Sequence, residues 1–328
     1  MKNKMTSTER VRNAILGRAV DRTPVYGWVA ANLSEPITQH FGSVAAFEDA
    51  YEFDMAHLFA GPSSFHEPTL AQLRERYGVL TPDILCEADI FTSPDRAEDY
   101  DSVRAQLAHH KAPGRERFCY IQTPGFFEHF NGIFGIENQL LYLAMYPDEL
   151  GELYRRQREW TLRFADHCID NGVDMIHVSD DWGAQKDMLF SPRTWERLIY
   201  PNIKAVADHV HARGSLISLH SDGCISKVAH RLPDIGFDLV HPWQESAGMG
   251  YDFYLQNFAD SFAILGGLCV QTCIGLLPQK QLESEIRRVF SLLKGHRWIM
   301  CTTHYVQAHC TIEDLRFAYD LIYRLARE

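Results

Sequence analysis

A histidine and an aspartate stand two positions apart where a short β-type run ends, near the middle of the chain. Residues 215–224 read Ser-Leu-Ile-Ser-Leu-His-Ser-Asp-Gly-Cys, so His220 ends the run and Asp222 follows before a glycine turn. In parallel α/β proteins the reacting groups lie just past the carboxyl ends of strands, and residues i and i+2 can face one pocket. The pair therefore predicts metal ligands or an acid–base pair. The alternative is a histidine hydrogen-bonded in a tight turn, with Asp222 forming an Asx-turn.

Two adjacent carboxylates end another predicted strand. Asp180 and Asp181 come directly after it. Paired carboxylates at the mouth of a barrel suit acid–base catalysis or the anchoring of a substrate. The alternative is a helix N-cap beside a solvated charge, but Gly183 and Gln185 continue a loop, and this favours the catalytic interpretation.

A third strand end carries the segment His-Pro-Trp-Gln-Glu, residues 241–245. Glu245 is a candidate metal ligand or base, and Trp243 is a candidate for stacking on a flat substrate. The alternative interpretation is a loop anchored by Pro242 with a packed tryptophan.

The last predicted strand runs into Cys-Thr-Thr-His, residues 301–304. His304 lies beyond the strand and is a candidate third ligand or proton donor. Cys301 is a candidate ligand if the loop turns back, although cysteine is more often simply buried. The pair Cys269 and Cys273 has a spacing that zinc sites use, but no partner pair lies nearby, and we interpret it as structural.

Composition excludes several classes of function. The net charge is -11, and no basic stripe is present, which argues against a nucleic-acid partner. The first ten residues lack the apolar core of a signal peptide, and no run approaches the roughly 18 apolar residues of a membrane span. Eight cysteines lie scattered along the chain. We interpret them as reduced thiols and expect a cytoplasmic protein.

The chain alternates between strand and helix patterns. Thr6 and Glu9 match a capping box, which predicts a helix through about Leu16. Further helices are predicted over 147–171, 192–213 and 281–293. Eight strands are predicted, namely Val25–Val29, Met55–Phe59, Phe118–Gln122, Met175–Ser179, Leu216–His220, Leu239–His241, Phe262–Leu265 and Trp298–Cys301.

Eight strands with intervening helices predict a (β/α)8 TIM barrel, forming one domain over residues 1–328. The alternative is an open doubly wound sheet, but no Gly-x-Gly-x-x-Gly follows any strand. The long, strand-poor segment 62–117 is predicted to be a helical insertion over the C-terminal mouth of the barrel, irregular around 92–100.

The same residues carry a family likeness. The chain resembles the uroporphyrinogen decarboxylase-like superfamily, which includes corrinoid-dependent methyltransferases. The resemblance runs nearly end to end and implies a (β/α)8 barrel with its site at the C-terminal face. The motifs that carry it are Thr8-Glu9-Arg10-Val11, Asp21-Arg22-Thr23-Pro24-Val25, Asp180-Asp181-Trp182-Gly183-Ala184-Gln185, Ser191-Pro192, His220-Ser221-Asp222-Gly223, Gly248-Met249, Gly266-Gly267 and Val270-Gln271.

The resemblance separates two branches of the superfamily. True uroporphyrinogen decarboxylases hold a tetrapyrrole polycarboxylate with paired arginines after the first strand. The corresponding stretch here, residues 26–32, reads Tyr-Gly-Trp-Val-Ala-Ala-Asn and has no arginine. A polyanionic substrate needs such fixed cations, so this departure argues against the decarboxylation of uroporphyrinogen.

The methyltransferase branch resembles zinc enzymes whose metal is held by His-x-Cys and a later cysteine. Here the first element is His220-Ser-Asp222, and the later ligand is His304, Cys301 or Glu245. Nitrogen and oxygen ligands leave zinc a stronger Lewis acid than thiolates do, which suits an ether oxygen as leaving group. The resemblance therefore implies zinc-dependent transfer of a methyl group from an O-methyl donor to the cobalt of a corrinoid protein.

A methoxy-aromatic donor calls for an aromatic pocket with polar groups at its edge. Because an Asp-x-His-x-x-Gly cobalt-ligating motif is missing from the sequence, cobalamin is expected on a partner protein. A homodimer is one option for the assembly. The candidate substrate-binding residues are Trp28, Phe126, Phe127, Phe130, Trp182, Trp243, Gln185 and Gln244, although most of these aromatics are by default core.

Two other functions stay open. A metal-free carboxy-lyase acting on a small carboxylated substrate would use Asp181 and His304 as its proton-handling pair. A non-catalytic member would only bind a corrinoid partner.

Overall fold

The computed structural model describes residues 4–328, and in this range the chain forms seven β-strands and fifteen α-helices. The strands are β1 Met55–Leu58, β2 Phe118–Pro124, β3 Met175–Ser179, β4 Leu216–His220, β5 Leu239–His241, β6 Ala263–Leu268 and β7 Trp298–Thr302. Short 3-10 helices cover Ala97–Tyr100, Glu128–Phe130, Ala229–Arg231 and Glu245–Ala247.

The helices lie between the strands and at both ends of the chain. They are α1 Ser7–Ile15, α2 Ala30–Phe41, α3 Val44–Ala50, α4 Glu67–Tyr77, α5 Pro82–Cys86, α6 Asp101–His110, α7 Asn131–Phe134, α8 Ile136–Met145, α9 Pro147–Asp170, α10 Pro192–Leu198, α11 Tyr200–Ala212, α12 Leu232–Ile235, α13 Tyr251–Asn257, α14 Gln279–Leu293 and α15 Ile312–Leu325. Among residues 4–328, no helix is both long and apolar enough to cross a membrane.

The strands are hydrogen-bonded in chain order from β1 to β7. β3 pairs in parallel with β2 and β4, and β6 pairs in parallel with β5 and β7. This order, with helices between successive strands, gives the α/β fold of the TIM-barrel type that the sequence predicts.

The chain falls into two compact units. Unit 1 comprises Met1–Ala56, His109–Cys119 and Asp238–Glu328, and unit 2 comprises His57–Ala108 and Tyr120–Phe237. We describe each unit by itself. The single domain over residues 1–328 stays a prediction.

The predicted first strand, Val25–Val29, is wrong in its extent. In unit 1 only Val25 forms a parallel bridge, with Met300 of β7, and its carbonyl accepts a bond from the Asp54 N–H at 2.8 Å. The ladder stops because the Trp28 N–H donates to the side-chain hydroxyl of Thr302, at 2.9 Å, instead of to a strand carbonyl. The prediction of eight strands is therefore corrected to seven strands and one bridge.

The helix predictions hold with one correction. Thr6 caps α1 in a capping box with Glu9, as predicted. The predicted helix over 192–213 is two helices, α10 and α11, which meet at Ile199. Pro201, near the start of α11, has no N–H to donate and ends the preceding hydrogen-bond ladder. The strand-poor segment 62–117 is helical, as predicted, and contains α4, α5 and α6.

A buried ion cluster ties the start of β1 to the N-terminal segment in unit 1. The Asp54 carboxylate is fully buried and accepts bonds from Arg10 and Arg22, each at 2.6 Å, and from the Val25 N–H at 2.8 Å. A buried charge is tolerated only when such partners satisfy it. The cluster thus fixes the segment that stands in the place of the predicted first strand.

Candidate functional site

The carboxyl ends of three adjacent strands are level in unit 2. Pro124 of β2 pairs with Ser179 of β3, and Ser179 pairs with His220 of β4. Because the strands are parallel, the loops that follow them leave the sheet at the same edge. This register brings the sequence-predicted polar residues of the second and third loops together.

His220, Asp181 and Asp222 form the centre of the candidate site. The Nε2 atom of His220 lies 3.8 Å from Oδ1 of Asp181 and 3.9 Å from Oδ1 of Asp222. The Asp222 N–H donates to Oδ1 of Asp181 at 2.7 Å. The imidazole is 6% exposed and the two carboxylates are about one-third exposed, at 32% and 30%. The imidazole is therefore held in place, while both carboxylates stay accessible.

Two glycines let the loops after β3 and β4 touch. A Cβ atom on Gly183 would lie 2.6 Å from the carbonyl oxygen of Asp222, and one on Gly223 would lie 2.6 Å from the carbonyl carbon of Gly183. Gly223 also has a φ of +78°, in the left-handed region that favours glycine. The Cys224 N–H donates to the carbonyl of Ala184 at 2.8 Å. This backbone contact sets the position of the carboxylates relative to the imidazole.

The donor atoms of the centre fit a zinc-type cation. His220 and Asp222 each offer one ligand atom, and these two atoms lie within 4.8 Å of each other. Zinc takes imidazole nitrogen and carboxylate oxygen, and it keeps a position open for water or substrate in catalytic sites. The accessible carboxylates on either side of a held imidazole match this donor set.

Asp180, the neighbour of Asp181, points the other way. It is fully buried, and its carboxylate accepts bonds from the backbone N–H groups of Phe126, Phe127 and Glu128 at 3.0, 2.9 and 2.7 Å. The indole N–H of Trp182 donates to it at 2.8 Å. Burial raises the pKa of Asp180 to about 6, against the lowering effect of these bonds. Four donors on one buried carboxylate suit a positioning role and leave little room for the predicted role in proton transfer.

Sequence reasoning missed Glu128, in the loop after β2. Burial, followed by the nearby charges of Asp181 and Asp180, raises its pKa to about 7. The backbone N–H of Asp181 donates to its carboxylate, and the Ser179 hydroxyl lies 3.5 Å from Oε2. A carboxyl that titrates near neutral pH is suited to general acid–base catalysis. The only sequence signal was its place shortly after a strand end.

In unit 1, Trp28 packs among three polar aromatic rings. Its ring centroid lies 4.4 Å from that of His241, 4.9 Å from Tyr305 and 5.8 Å from His304. His241 is buried, and its Nε2 lies 3.1 Å from the carbonyl oxygen of Thr302. His304 and Tyr305 are partly exposed. Trp28 and His304 therefore occupy one aromatic cluster beyond the end of β7.

Cys301 does not lie beyond the strand, as a ligand from a returning loop would. It is the fourth residue of β7 and is 1% exposed. Burial raises the pKa of its thiol well above the ordinary range. A buried thiol inside a strand does not match the predicted metal-ligand role.

Glu245 and Gln244 are engaged by other side chains of unit 1. Glu245 forms an ion pair with Arg288 of α14. The Gln244 amide donates to Oε1 of Gln271 at 2.7 Å, and the hydroxyl of Ser246 donates to the same oxygen at 3.1 Å. The cation that faces Glu245 in this structure is thus the Arg288 guanidinium, in place of the predicted metal.

Most of the predicted pocket aromatics are core residues. Trp243 is 2% exposed and packs with Phe253, Phe258 and Phe262. Trp182, Phe126, Phe127 and Phe130 are each 0–1% exposed. Gln185 is exposed, in the loop after β3. The tryptophan indoles and phenylalanine rings pack between secondary-structure elements. Trp243 and Trp182 therefore expose no ring face on which a substrate could stack, contrary to the prediction from the sequence.

Comparison with known proteins places these features in context. A family model described as Uroporphyrinogen decarboxylase (URO-D) matches residues 131–325. A search of curated proteins gave no match. Among solved structures, a methyltransferase from Methanosarcina mazei is 12% identical, covers 97% of this chain and 98% of its own, and has a TM-score of 0.66. A 3-keto-L-gulonate-6-phosphate decarboxylase from Vibrio cholerae is also 12% identical, covering 93% and 98%, with a TM-score of 0.42. At 12% identity, the likeness to the Methanosarcina mazei protein shows the fold alone.

Proposed function

Because the chain belongs to the uroporphyrinogen decarboxylase (URO-D) family, we propose that it is a zinc-dependent methyltransferase of that family. Its donor is an O-methyl compound, of the methoxy-aromatic class, and its acceptor is the cobalt of a corrinoid protein. The observation that carries the proposal is the imidazole of His220 set between two accessible carboxylates at level strand ends. The likeness to a methyltransferase over nearly the whole chain supports it.

His220 and Asp222 are the proposed zinc ligands. Asp222 follows the end of β4 by two residues. In a parallel α/β fold, residues just beyond strand ends supply the site. Bound zinc would supply Lewis acidity that draws electron density from the ether oxygen of the donor.

The remaining polar residues of the site would position and protonate the substrate. Asp181 accepts the Asp222 N–H and so orients that carboxylate. Glu128, with a pKa of about 7, holds a proton on its carboxyl group that a leaving alkoxide or phenolate would take up. Asp180 fixes the backbone on which Glu128 stands. The arginine-free stretch 26–32 fits a donor without multiple negative charges.

One observation favours a second candidate, a metal-free carboxy-lyase. The pKa of the Glu128 carboxyl group is raised to about 7. This group lies beside the half-buried carboxylate of Asp181. A neutral acid beside an ionised one is the arrangement that protonates a carbanion formed by loss of carbon dioxide. This candidate needs neither His220 nor Asp222 as a ligand.

Elemental analysis of protein purified without chelator separates the two candidates. The methyltransferase should hold about one zinc per chain, and His220→Ala and Asp222→Ala should both lose it. Asp187→Ala is the matched control, because Asp187 is exposed in the loop after β3, where its carboxylate pairs with Lys227 and accepts the Met188 N–H at 2.7 Å. The control should keep its zinc.

Activity then tests the reaction itself. Methoxy-aromatics are incubated with the protein and a reduced corrinoid protein, and the absorbance of methylcobalamin is followed. The wild type and Asp187→Ala should transfer the methyl group, and Asp222→Ala should not. A wild type that holds no metal, and takes up none when zinc is added, would contradict the zinc proposal and favour the lyase, whose activity should survive Asp222→Ala.

A further inference from the structure

A pair of cysteines lies in unit 1 on the turn that follows β6. Cys273 donates its backbone N–H to the carbonyl of Cys269 at 3.1 Å, so the two residues sit one helical turn apart. Both are free thiols, Cys269 partly exposed and Cys273 buried. Helical geometry places Cα atoms four residues apart at about 6 Å. Disulfides span Cα distances of roughly 4.4–6.8 Å, so this turn can close one without unfolding.

The sulfur of Cys269 lies among several hydrogen-bonding groups. It bonds with the Cys273 thiol and the Thr272 hydroxyl, and the backbone N–H of Gln271 points at it. The protonated Cys269 thiol donates to the hydroxyl oxygen of Ser246 at 3.6 Å. The hydrogen bond from Cys273 is the main cause of a lowered pKa for the Cys269 thiol, while the same bond raises the pKa of Cys273. The donors stabilise a thiolate on the more exposed sulfur and keep the proton on the buried one.

The other cysteines with a resolved shift differ. Burial raises the pKa of Cys86, Cys168, Cys301 and Cys310. Cys86 is the useful comparison, because it is also partly exposed and its thiol donates to the carbonyl of Glu149 at 3.4 Å. It has a thiol of similar access without a second cysteine beside it. Reactivity of cysteine follows its thiolate fraction and its exposure.

We propose that Cys269 and Cys273 are a peroxide-sensitive modification site that forms an intramolecular disulfide. The Cys269 thiolate attacks one oxygen of hydrogen peroxide, an S–O bond forms, the O–O bond breaks, and hydroxide leaves and takes a proton to become water. The Cys273 sulfur then attacks Sγ of Cys269, the S–S bond forms as the S–O bond breaks, and the departing hydroxide takes the Cys273 proton to leave as a second water. The two thiols lose two electrons in total, and the peroxide is reduced to two waters.

The disulfide would act on a side chain next to the thiols. Gln271 lies within the five-residue turn and accepts bonds from Gln244 and Ser246 in the loop after β5. Closing the turn covalently restrains Gln271 and so the loop that it holds. This inference does not depend on the proposed methyl transfer.

The test uses the full-length wild-type protein at neutral pH with near-stoichiometric hydrogen peroxide. We expect intact-protein mass spectrometry to show the loss of two hydrogen masses, reversed by dithiothreitol, and differential alkylation to map the disulfide to Cys269 and Cys273. Before oxidation, iodoacetamide should alkylate Cys269 at least about tenfold faster than Cys86.

Variants identify the order of the steps. After peroxide, Cys273→Ser should form no disulfide and should be labelled by dimedone at Cys269. Cys269→Ser should form no disulfide and should not be labelled by dimedone at this pair. Cys86→Ser should behave as the wild type. Alkylation of Cys86 at the rate of Cys269, a disulfide at another pair, or two reduced thiols after peroxide would each overturn the proposal. The wild-type measurements decide it even if a variant fails to fold.

Discussion

Glu128 gives the sharpest test of the electrostatics of the site. Its pKa is about 7, against an ordinary value of 4.5, because burial and the charges of Asp181 and Asp180 disfavour its ionised form. In the unfolded chain the carboxyl loses its proton near 4.5, whereas the folded protein keeps it until about pH 7. Between these values the folded state binds more protons, so the free energy of unfolding falls as the pH rises. Glu128→Gln removes the titrating group and with it this pH dependence.

The size of the effect follows from the two pKa values. One pKa unit corresponds to about 1.4 kcal/mol. At pH 5 the folded protein still holds the proton on Glu128, and the unfolded glutamate has passed its own pKa by only half a unit. The destabilisation is therefore small at this pH. At pH 8 both states are ionised and the folded state carries the full cost. The wild type should therefore lose about 2.5 kcal/mol between pH 5 and pH 8 that Glu128→Gln does not lose.

The assay is urea unfolding of both proteins at pH 5 and pH 8, in the presence of EDTA so that no bound cation contributes. The measured quantity is the difference in the free energy of unfolding between wild type and Glu128→Gln at each pH. Hydrogen bonds that glutamine alters contribute equally at both pH values, so they cancel when the two differences are subtracted. Glu75→Gln is the control, since Glu75 is an exposed glutamate on α4 in the same unit. A Glu128→Gln variant whose stability relative to wild type is the same at both pH values would refute the reasoning.

Three further changes test the roles assigned to buried residues. Trp243→Ala should lower the free energy of unfolding by about 3–5 kcal/mol through the cavity it leaves, and Gln185→Ala should leave the urea midpoint unchanged; equal midpoints would contradict the core assignment. Asp54→Asn should lower the free energy of unfolding by about 3–5 kcal/mol, measured in the same way, because it removes the fully buried carboxylate that the Arg10 and Arg22 guanidinium groups share. Asp180→Ala should expose the loop 125–130 to limited proteolysis; a protected loop would show that its backbone N–H groups do not need the carboxylate.

Strand ends were the part of the site most accessible to sequence reasoning. A β-type run followed by polar residues and a glycine is a local pattern, and the parallel register then makes such ends meet. His220, Asp181 and Asp222 were singled out for this reason, and the structure brings them within 4 Å of one another in pairs around the imidazole. The alternation of strands and helices predicted the fold class by the same local logic.

The predictions that the structure corrects depend on contacts between residues far apart in the sequence. Val25–Val29 reads as a strand, but a hydroxyl on Thr302, more than 270 positions away, takes the N–H of Trp28. The role of Trp243 likewise depends on three phenylalanine rings of a later segment. Aromatic residues after strands look alike in a sequence whether they line a pocket or fill a core, because only burial separates the two.

The two adjacent aspartates show why spacing alone could not assign roles. Consecutive residues in extended backbone point to opposite sides, so only one of the pair can face the imidazole. Asp181 accepts the Asp222 N–H on that side, while Asp180 faces the loop after β2. The sequence identified the pair as candidates but gave no means of choosing between them.

Because their side chains point in opposite directions, Asp180 and Asp181 form hydrogen bonds with the loops after both neighbouring strands, β2 and β4. Asp180 accepts the Glu128 N–H, and the Asp181 N–H donates to the Glu128 carboxylate, so the residue that titrates near pH 7 is held at its backbone and at its side chain. Asp181 also accepts the Asp222 N–H from the loop after β4. A shift of this one dipeptide would therefore displace the proposed acid and the proposed metal ligand together. The two proposed functions of the site would be coupled through these backbone hydrogen bonds, and a substitution at Asp181 should impair both even though Asp181 need not bind metal.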